Sequence, residues 1–587
     1  MLQNQETLYQ VKQWYHPTFQ APTQAGTGAL SSFTASILEQ RGITSKEAQS
    51  TFLSSGLQDL HDTRLMKDAL KAVRFIKRAI DTEQTIVIYS DYDSDGVNSA
   101  VIGVTLLRQL GAKAYFYTNN RFTQGYGMMP SGVDAILTQY PETSMIITCD
   151  NGIMAFDGVS YAKSKGLDVI VTDHHEPDDV LPEADAIVDP KQTDCDYPFR
   201  ELCGAGVIFK LMHLLYQEMA QPLDPVYAML DVVALATVGD IVPLVDENRL
   251  LVKEGLKLIK AKQRPTFRIL EEVTEPKEIN AHLTLAFMYV PMINAIGRLE
   301  GDPRLAIEMF LTEDEEEIER IARYLKETND KRKQMTREQV ERAEEIVEQK
   351  GLRPVIVVYD DSFDEGIAGL IAGRLKEKYH RPVFAFTKTE DGTLKGSGRS
   401  IDNFHLKKAF GVLSDVMIGG GGHAKAGGLS IRPDQLDAFD DAVNALAEEW
   451  LTEEDLVKKK TVDVVITPQM LSLHLLDELK ALEPYGEGFP KPVIMVKDYP
   501  IHTVKTLGKE KNHLKFTDND TVIIMWQGQN ILELNQRNRP YTLSCLGFPQ
   551  VNVFRNTVTL QFIVDDDNIT TDTVPNGVKL LQPTRLS

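Results

Sequence analysis

Up to Pro243 the chain alternates short, almost wholly apolar runs with longer stretches of helical spacing. The runs are Thr85-Ile86-Val87-Ile88-Tyr89, Ala114-Tyr115-Phe116-Tyr117, Met145-Ile146-Ile147-Thr148-Cys149, Leu167 to Thr172, and Ala186-Ile187-Val188. Strands interleaved with helical stretches pair in parallel. From about Ser45 to Thr237 the pattern therefore predicts an α/β domain built on a parallel sheet. Its helices include Lys67 to Ile80, about Asn98 to Leu110, and Tyr227 to Val238. The last ends at Gly239-Asp240-Ile241-Val242-Pro243, where proline cannot continue a helix.

Thr312 to Lys350 carries Ile318, Ile321, Ala322 and Leu325 at i, i+3, i+4, i+7 among Glu, Lys, Arg and Gln, with no Gly or Pro. That spacing predicts one helix, about 55–60 Å long if unbroken, enough to bridge two domains. A second α/β unit follows, with strand Val355 to Val358, helix Ile367 to Tyr379 and strand Val383 to Phe386. It ends in Gly419-Gly420-Gly421-Gly422-His423-Ala424-Lys425-Ala426-Gly427-Gly428. Beyond Lys460 short strands separated by Gly, Asn and Asp turns predict a small barrel, among them Val493 to Val496, Leu514 to Phe516, Val522 to Trp526 and Thr557 to Val564. We expect an N-terminal extension over 1–50, the first α/β domain over 51–311, the connecting helix over 312–350, the second α/β domain over 351–455 and the barrel over 456–587.

A chain of 587 residues is too long for one core. Hydrophobic and charged contents of 42% and 25% are those of a globular protein, which sets disorder aside. Cys149, Cys195, Cys203 and Cys545 form no C-x-x-C pair, as expected in a reducing cytosol. The N-terminus lacks the basic start and apolar core of an export signal, and Asp231 and Asp240 break the apolar run from Val226 to Val245. We therefore expect a cytoplasmic protein with no membrane span. A net charge of −22 argues against a nucleic-acid partner only if charge is spread evenly. Acids concentrate in Glu313 to Glu317 and Asp565 to Asp567, and bases in Lys395 to Arg399, Lys458 to Lys460 and Lys505 to Lys515, which predicts a localised groove.

Chemistry gathers at the strand ends. Asp91-Tyr92-Asp93-Ser94-Asp95-Gly96 follows the first strand, Asp150-Asn151-Gly152 the third, and Asp173-His174-His175 the fourth. Alternate residues of an extended chain share a face, so Asp91, Asp93 and Asp95 are expected to converge. In a parallel sheet the carboxyl ends of strands line the ligand crevice, which brings the three clusters together. Alone, each acid is a helix cap or a solvated loop residue. Jointly, Asp91, Asp93, Asp95, Asp150, His174 and Asp240 form an oxygen-rich set with imidazole, suited to Mn²⁺ or Mg²⁺. A carboxylate bridging two ions holds them about 3.5–4 Å apart, the spacing for in-line attack on phosphorus, and the expected reaction is phosphoester hydrolysis. An EF-hand loop would need Glu at its twelfth position, which here is Ile102, and a nicotinamide site would need glycines where these acids stand.

Other segments fit phosphate handling. Gly419 to Gly422 beside His423 reads as a loop whose backbone approaches phosphate. Lys395-Gly396-Ser397-Gly398-Arg399 offers a hydroxyl and a guanidinium, with a surface turn as the plain alternative, and Arg121 and Arg298 are expected either to grip phosphate or to form ordinary surface salt bridges. Phe516, Trp526 and Phe554 are expected either to stack bases or to fill the barrel core.

The ordered series resembles the DHH phosphoesterase superfamily and, within it, the RecJ family of bacterial single-stranded-DNA-specific 5′ to 3′ exonucleases. The match rests on Gln40-Arg41-Gly42-Ile43, Asp91 to Gly96, Cys149 to Ile153, Asp173-His174-His175, Cys203 to Val207, Gly239 to Leu244, Ile293-Asn294-Ala295, Lys395-Gly396-Ser397, Gly421-Gly422-His423 and Pro484-Tyr485-Gly486-Glu487-Gly488. The resemblance implies an α/β fold with a DHH parallel-sheet domain, a long connecting helix, a DHHA1 α/β domain and a C-terminal OB-fold β-barrel that extends the DNA path. It implies Asp93, Asp95, Asp150, His174 and Asp240 as catalytic ligands of two Mn²⁺ or Mg²⁺ ions, with Asp91 a further ligand. His175 would meet the scissile phosphate, and Asp173 would orient the adjacent imidazole. Arg121, Ser397 and Arg399 would hold the 5′ phosphate end, with Arg298 and His423 near the strand. Recombination and repair, a single-strand-binding protein and a RecQ-type helicase follow from the same resemblance. Ser90, Phe363-Asp364-Glu365-Gly366 and the Lys425 to Gly428 segment depart from the family pattern, while the ligand set is intact. The chain stops soon after the barrel, so no further C-terminal domain is expected.

Overall fold

The computed structural model describes residues 13–15, 31–276, 281–500, 503–508, 513–518, 521–526, 542–554, 557–571 and 580–581. The chain divides into two compact units, one comprising 54–335 with 484–490 and the other 1–53, 336–483 and 491–587.

The first unit is organised by five parallel strands, β1 (Thr85–Ser90), β2 (Lys113–Thr118), β3 (Thr143–Cys149), β4 (Asp168–Thr172) and β5 (Ala186–Val188). Their order is β2-β1-β3-β4-β5, with Ser90 level with Cys149 and Cys149 level with Thr172. The chain thus reverses its direction of travel at β1 and β3, and a ligand crevice opens there, beyond the carboxyl ends of the strands. Burial on both faces explains the unbroken apolar run of the central strand β1, whereas the edge strand β2 leaves Tyr115 exposed. Ile86 and Ile88 of β1 enter one core cluster while Val87 and Tyr89 enter another, all fully buried. Each such aliphatic side chain contributes about 1.5–3 kcal/mol of burial. The larger cluster is closed by α1 (Ser94–Gln109), α2 (Gly204–Glu218) and α3 (Leu230–Gly239), followed by α4 (Asp246–Ala261) and α5 (Val290–Leu299).

The long helix is α6 (Glu315–Lys350), and the division between units falls within it. It begins three residues after Thr312 because Thr312 is extended and Asp314 accepts from Glu316 N at 3.0 Å, capping the first turn. Ile318, Ile321, Ala322 and Leu325 are fully buried in the core of the first unit, as their spacing predicts.

Besides a small parallel sheet in which Gln13–Tyr15 pairs with Lys459–Thr461 and Leu580–Leu581, the second unit holds two larger sheets among the described residues. One has order β9-β10-β8-β7-β6, from β6 (Ile356–Tyr359), β7 (Val383–Lys388), β8 (Leu394–Arg399), β9 (Gly419–Gly422) and β10 (Ala426–Ile431), with only β6 and β7 parallel. Helix α7 (Glu365–Tyr379) packs on β7 and β8. The other sheet has seven strands between Val464 and Thr571 in an antiparallel arrangement with two parallel pairings.

One expectation is corrected, and one that the sequence left open is decided. Gly419 to Gly422 is an edge strand in register with Gly427 to Ser430, not a loop; four glycines leave a bare ribbon whose ladder hydrogen bonds decide its conformation. Phe516 is 2% exposed and belongs to the core, while Trp526 is 51% exposed and packs edge-on against His513 at 4.9 Å. The side chain of Phe554 lies outside the described residues. Among the described residues no helix is long and apolar enough to cross a membrane, and all four cysteines are free and buried.

Candidate metal centre

The acids after β1 converge, but not through extended alternation. The strand stops at Ser90, and α1 starts at Ser94 with Asp93 as its N-cap, the Asp93 carboxylate accepting from Asp95 N at 2.9 Å and Gly96 N at 3.2 Å. A carboxylate one residue before a helix satisfies otherwise orphan N–H groups, and this preference outweighs continuation of the strand. Asp95 therefore sits in the first helical turn, facing the start of α2. There it accepts from Gly204 N at 2.6 Å and Ala205 N at 2.8 Å. Gly204 is required by proximity, since a Cβ at that position would lie 2.6 Å from Asp150 Cβ.

Asp150, next after β3, has a left-handed φ of 62° and is 2% exposed. His174 Nε2 lies 3.0 Å from Asp150 Oδ1, 3.6 Å from Asp240 Oδ2 and 3.8 Å from Asp95 Oδ2. Among the described residues neither buried ring nitrogen of His174 meets hydrogen-bond geometry with a partner, and the 3.0 Å approach to Asp150 is a contact without it. Asp240 reaches the cluster from the carboxyl end of α3. Potential donor atoms form three overlapping groups, Asp91-Asp93-Asp150, Asp95-His174-Asp240 and Asp150-His174-His175, each spanning no more than 4.8 Å. Asp150 belongs to both the first and the third.

Positive groups of the protein only partly offset the charge in this crevice, His175 and Arg121 acting on Asp91 and His175 and Lys191 on Asp240. Burial and then neighbouring carboxylates push Asp91, Asp150 and Asp240 well above the usual carboxylate range, and Asp95 to about 6. His174 is pushed down to about 3, first by burial and then by the charge of His175, and is neutral as a metal ligand must be. His175 is the opposite case. Burial lowers it, but its Nδ1 lies 2.7 Å from Asp173 Oδ1, and that partner raises it to about 9. Asp173 is itself fixed by Ile153 N at 2.9 Å and His174 N at 2.8 Å. Burial would raise Asp173, but the His175 partner outweighs it and leaves the group below its ordinary value. Oxygen donors crowded this closely, with a neutral imidazole whose nitrogens lack partners, fit hard divalent cations such as Mn²⁺ or Mg²⁺.

Around the cluster, Arg121 stands 5.0 Å over the Tyr92 ring, and the charges of Arg121 and Arg298 both act on the Tyr92 phenol. Arg298 lies in the last turn of α5. Two further residues carry geometry that the sequence did not assign. Tyr126 OH lies 3.3 Å from His175 Nε2, and Asn294 Oδ1 accepts from Ser94 N at 2.7 Å, tying α5 to the capped turn. Asn294 stands inside a motif that matched the family and Tyr126 does not, and neither residue type by itself signals such a contact. In the second unit, Arg399 Nη1 donates to Ser397 Oγ at 3.2 Å on β8, and a Cβ on Gly369 of α7 would lie 2.9 Å from Arg399 Nη2. His423 sits at the turn between β9 and β10, its N–H donating to Ala426 O at 2.8 Å.

A parallel sheet whose reversal point collects acids with an Asp-His-His triplet defines a DHH-family protein, and the DHH family N-terminal domain model matches residues 85–237. The DHHA1 domain model matches residues 353–449 and the RecJ OB domain model residues 462–566. The single-stranded-DNA-specific exonuclease RecJ of Bacillus subtilis is 35% identical over 91% of this chain and 67% of its own length. That of Haemophilus influenzae is 33% identical over 84% of this chain and 89% of its own. A structure of RecJ from Thermus thermophilus in complex with Mn²⁺ is 25% identical, with a TM-score of 0.79 over 95% of this chain and 80% of that one. The chain belongs to the RecJ family of single-stranded-DNA-specific exonucleases.

Proposed function

We propose that this chain hydrolyses single-stranded DNA from the 5′ end to mononucleotides at a centre holding two Mn²⁺ or Mg²⁺ ions. The observation that carries this reading is the position of Asp150, within reach of Asp91 and Asp93 on one side and of His174 on the other. Asp91, Asp93 and Asp150 would hold one ion, and Asp95, His174, Asp240 and the shared Asp150 the other. Bound ions would supply an activated water and a clamp on the phosphate oxygens. The protein's own groups do the rest. The amino end of α2 fixes Asp95 with two N–H groups, and Asp173 locks the His175 ring so that it presents its second nitrogen toward a scissile phosphate. Arg121, Ser397 and Arg399 are assigned to the 5′ phosphate, and Arg298 and His423 to the strand. A cytoplasmic role in recombination and repair, with a single-strand-binding protein and a RecQ-type helicase as collaborators, completes the proposal.

The test is digestion of 5′-labelled and 3′-labelled strands with Mn²⁺, Mg²⁺ or EDTA. Mononucleotides released from the 5′ end only with metal are the expected result. Rapid cleavage of dinucleotides with intact long strands would instead make this a phosphoesterase of short or cyclic nucleotides. No cleavage of either, with strands still bound, would make it an inactive scaffold.

A further inference from the structure

The Pro484-Tyr485-Gly486-Glu487-Gly488 motif has no task in the chemistry above. It falls inside the stretch matched by the OB domain model, yet residues 484–490 pack within the unit that holds the metal centre, while Glu483 and Lys491 on either side belong to the other unit. The segment is a tight turn closed by backbone bonds of 2.9 and 3.2 Å between Gly486 and Phe489, with Tyr485 stacked on Phe489 at 6.1 Å.

This turn grips the loop between α3 and α4. Leu244 N donates to Glu487 O at 2.7 Å. Arg249 Nη1 donates to Pro484 O at 2.9 Å, and the buried guanidinium lies 5.4 Å over the Phe489 ring. A Cβ on Gly486 would lie 2.6 Å from Leu244, and one on Gly488 2.9 Å from Pro243; φ at Gly488 is +70°, a conformation strained for any other residue. The gripped loop begins with Asp240 and Ile241. Ile241 is β-branched, has a φ of 60° and is 70% exposed, so its own side chain does little to fix that conformation. Such a residue keeps a left-handed backbone only where its surroundings over-determine it.

We propose that residues 484–490 form a strap that sets the position of the Asp240 carboxylate, with Arg249 as the positioning residue. The proposal rests on reading Asp240 as a ligand of the second ion. Releasing the strap lets Ile241 relax and draws Asp240 away from Asp95 and His174.

The experiment uses the full chain, titrating Mn²⁺ by calorimetry and following hydrolysis of a 5′-labelled strand against Mn²⁺ concentration. Gly488→Ala and Arg249→Met should each weaken one of the two Mn²⁺ ions by roughly tenfold. Half-maximal activity should shift to higher Mn²⁺ by the same factor, and the rate at saturating Mn²⁺ should approach that of the parent. Arg249→Lys should restore most of the affinity, and Gly488→Ala placed on Asp240→Asn should add nothing further. Parental Mn²⁺ affinity in Gly488→Ala and Arg249→Met, with only a lower melting temperature, would overturn the strap, since it would then serve stability alone. If Gly488→Ala does not fold, Arg249→Met decides by the same criterion. If Asp240→Asn keeps both ions at parental affinity, the ligand reading fails and takes the strap with it. If Asp240→Asn weakens an ion while the strap variants do not, the strap alone fails.

Discussion

Asp150 illustrates how much a single side chain carries here. Its carboxylate is shared between two donor groups, so its removal should affect both ions at once. Asp150→Ala is expected to lower hydrolysis by more than about a hundredfold, beyond the range for outer-shell partners, while strand binding in an electrophoretic shift assay stays measurable. Asp173 acts at one remove, through the His175 ring. Asp173→Asn should therefore cost about 10–100-fold in kcat and leave Mn²⁺ affinity, read by calorimetry, close to the parent. The acids were legible in the sequence because each follows an apolar run, and the ends of parallel strands converge whatever the details of the loops. What could not be read was the route. Asp95 reaches the cluster from a helix whose start, at Ser94, overlaps the acidic motif, because the capping preference of Asp93 overrides a pattern that also suits an extended chain. Tyr126 and Asn294 were invisible for a different reason, since their roles depend on contacts 49 and 200 residues away in the chain.

Among the elements, the strands and the long helix follow directly from their periodicity. Leu325 lies on the buried stripe of α6 and is fully enclosed by the core of the first unit. Leu325→Ala should destabilise the protein by about 2–5 kcal/mol, read as a lower urea midpoint at unchanged slope. Glycine-rich segments were harder to read. A run of four glycines has no side chains to impose a period, so Gly419 to Gly422 looks like a loop until the pairing with β10 defines it as a strand. Phe516 raises the complementary difficulty. An aromatic residue flanked by polar ones serves equally well as a stacking surface or as a core filler, and here it fills the core.

For the whole molecule, the crowded carboxylates make the metal part of the stability balance. Mn²⁺ at a hundred times its dissociation constant for one site should add about 2.7 kcal/mol, and EDTA should remove that increment, which a thermal melt with and without the ion will measure. The net charge of −22 belongs to the same balance, since several of its acids face the crevice that the ions would neutralise. The assignment of residues 484–490 to the catalytic unit was not legible, because nothing in a linear pattern says that a turn will leave the helix before it and the strand after it to serve another body.

That excursion bears on how the enzyme can be cut. A shortened protein ending before Pro484 would keep Asp91, Asp93, Asp95, Asp150, Asp240, His174, His175 and the complete parallel sheet of the first unit. It would nonetheless leave the Leu244 amide and the Arg249 guanidinium without the carbonyl groups they now address. Weak activity in such a fragment would then report a missing brace, and would say little about whether the barrel handles DNA.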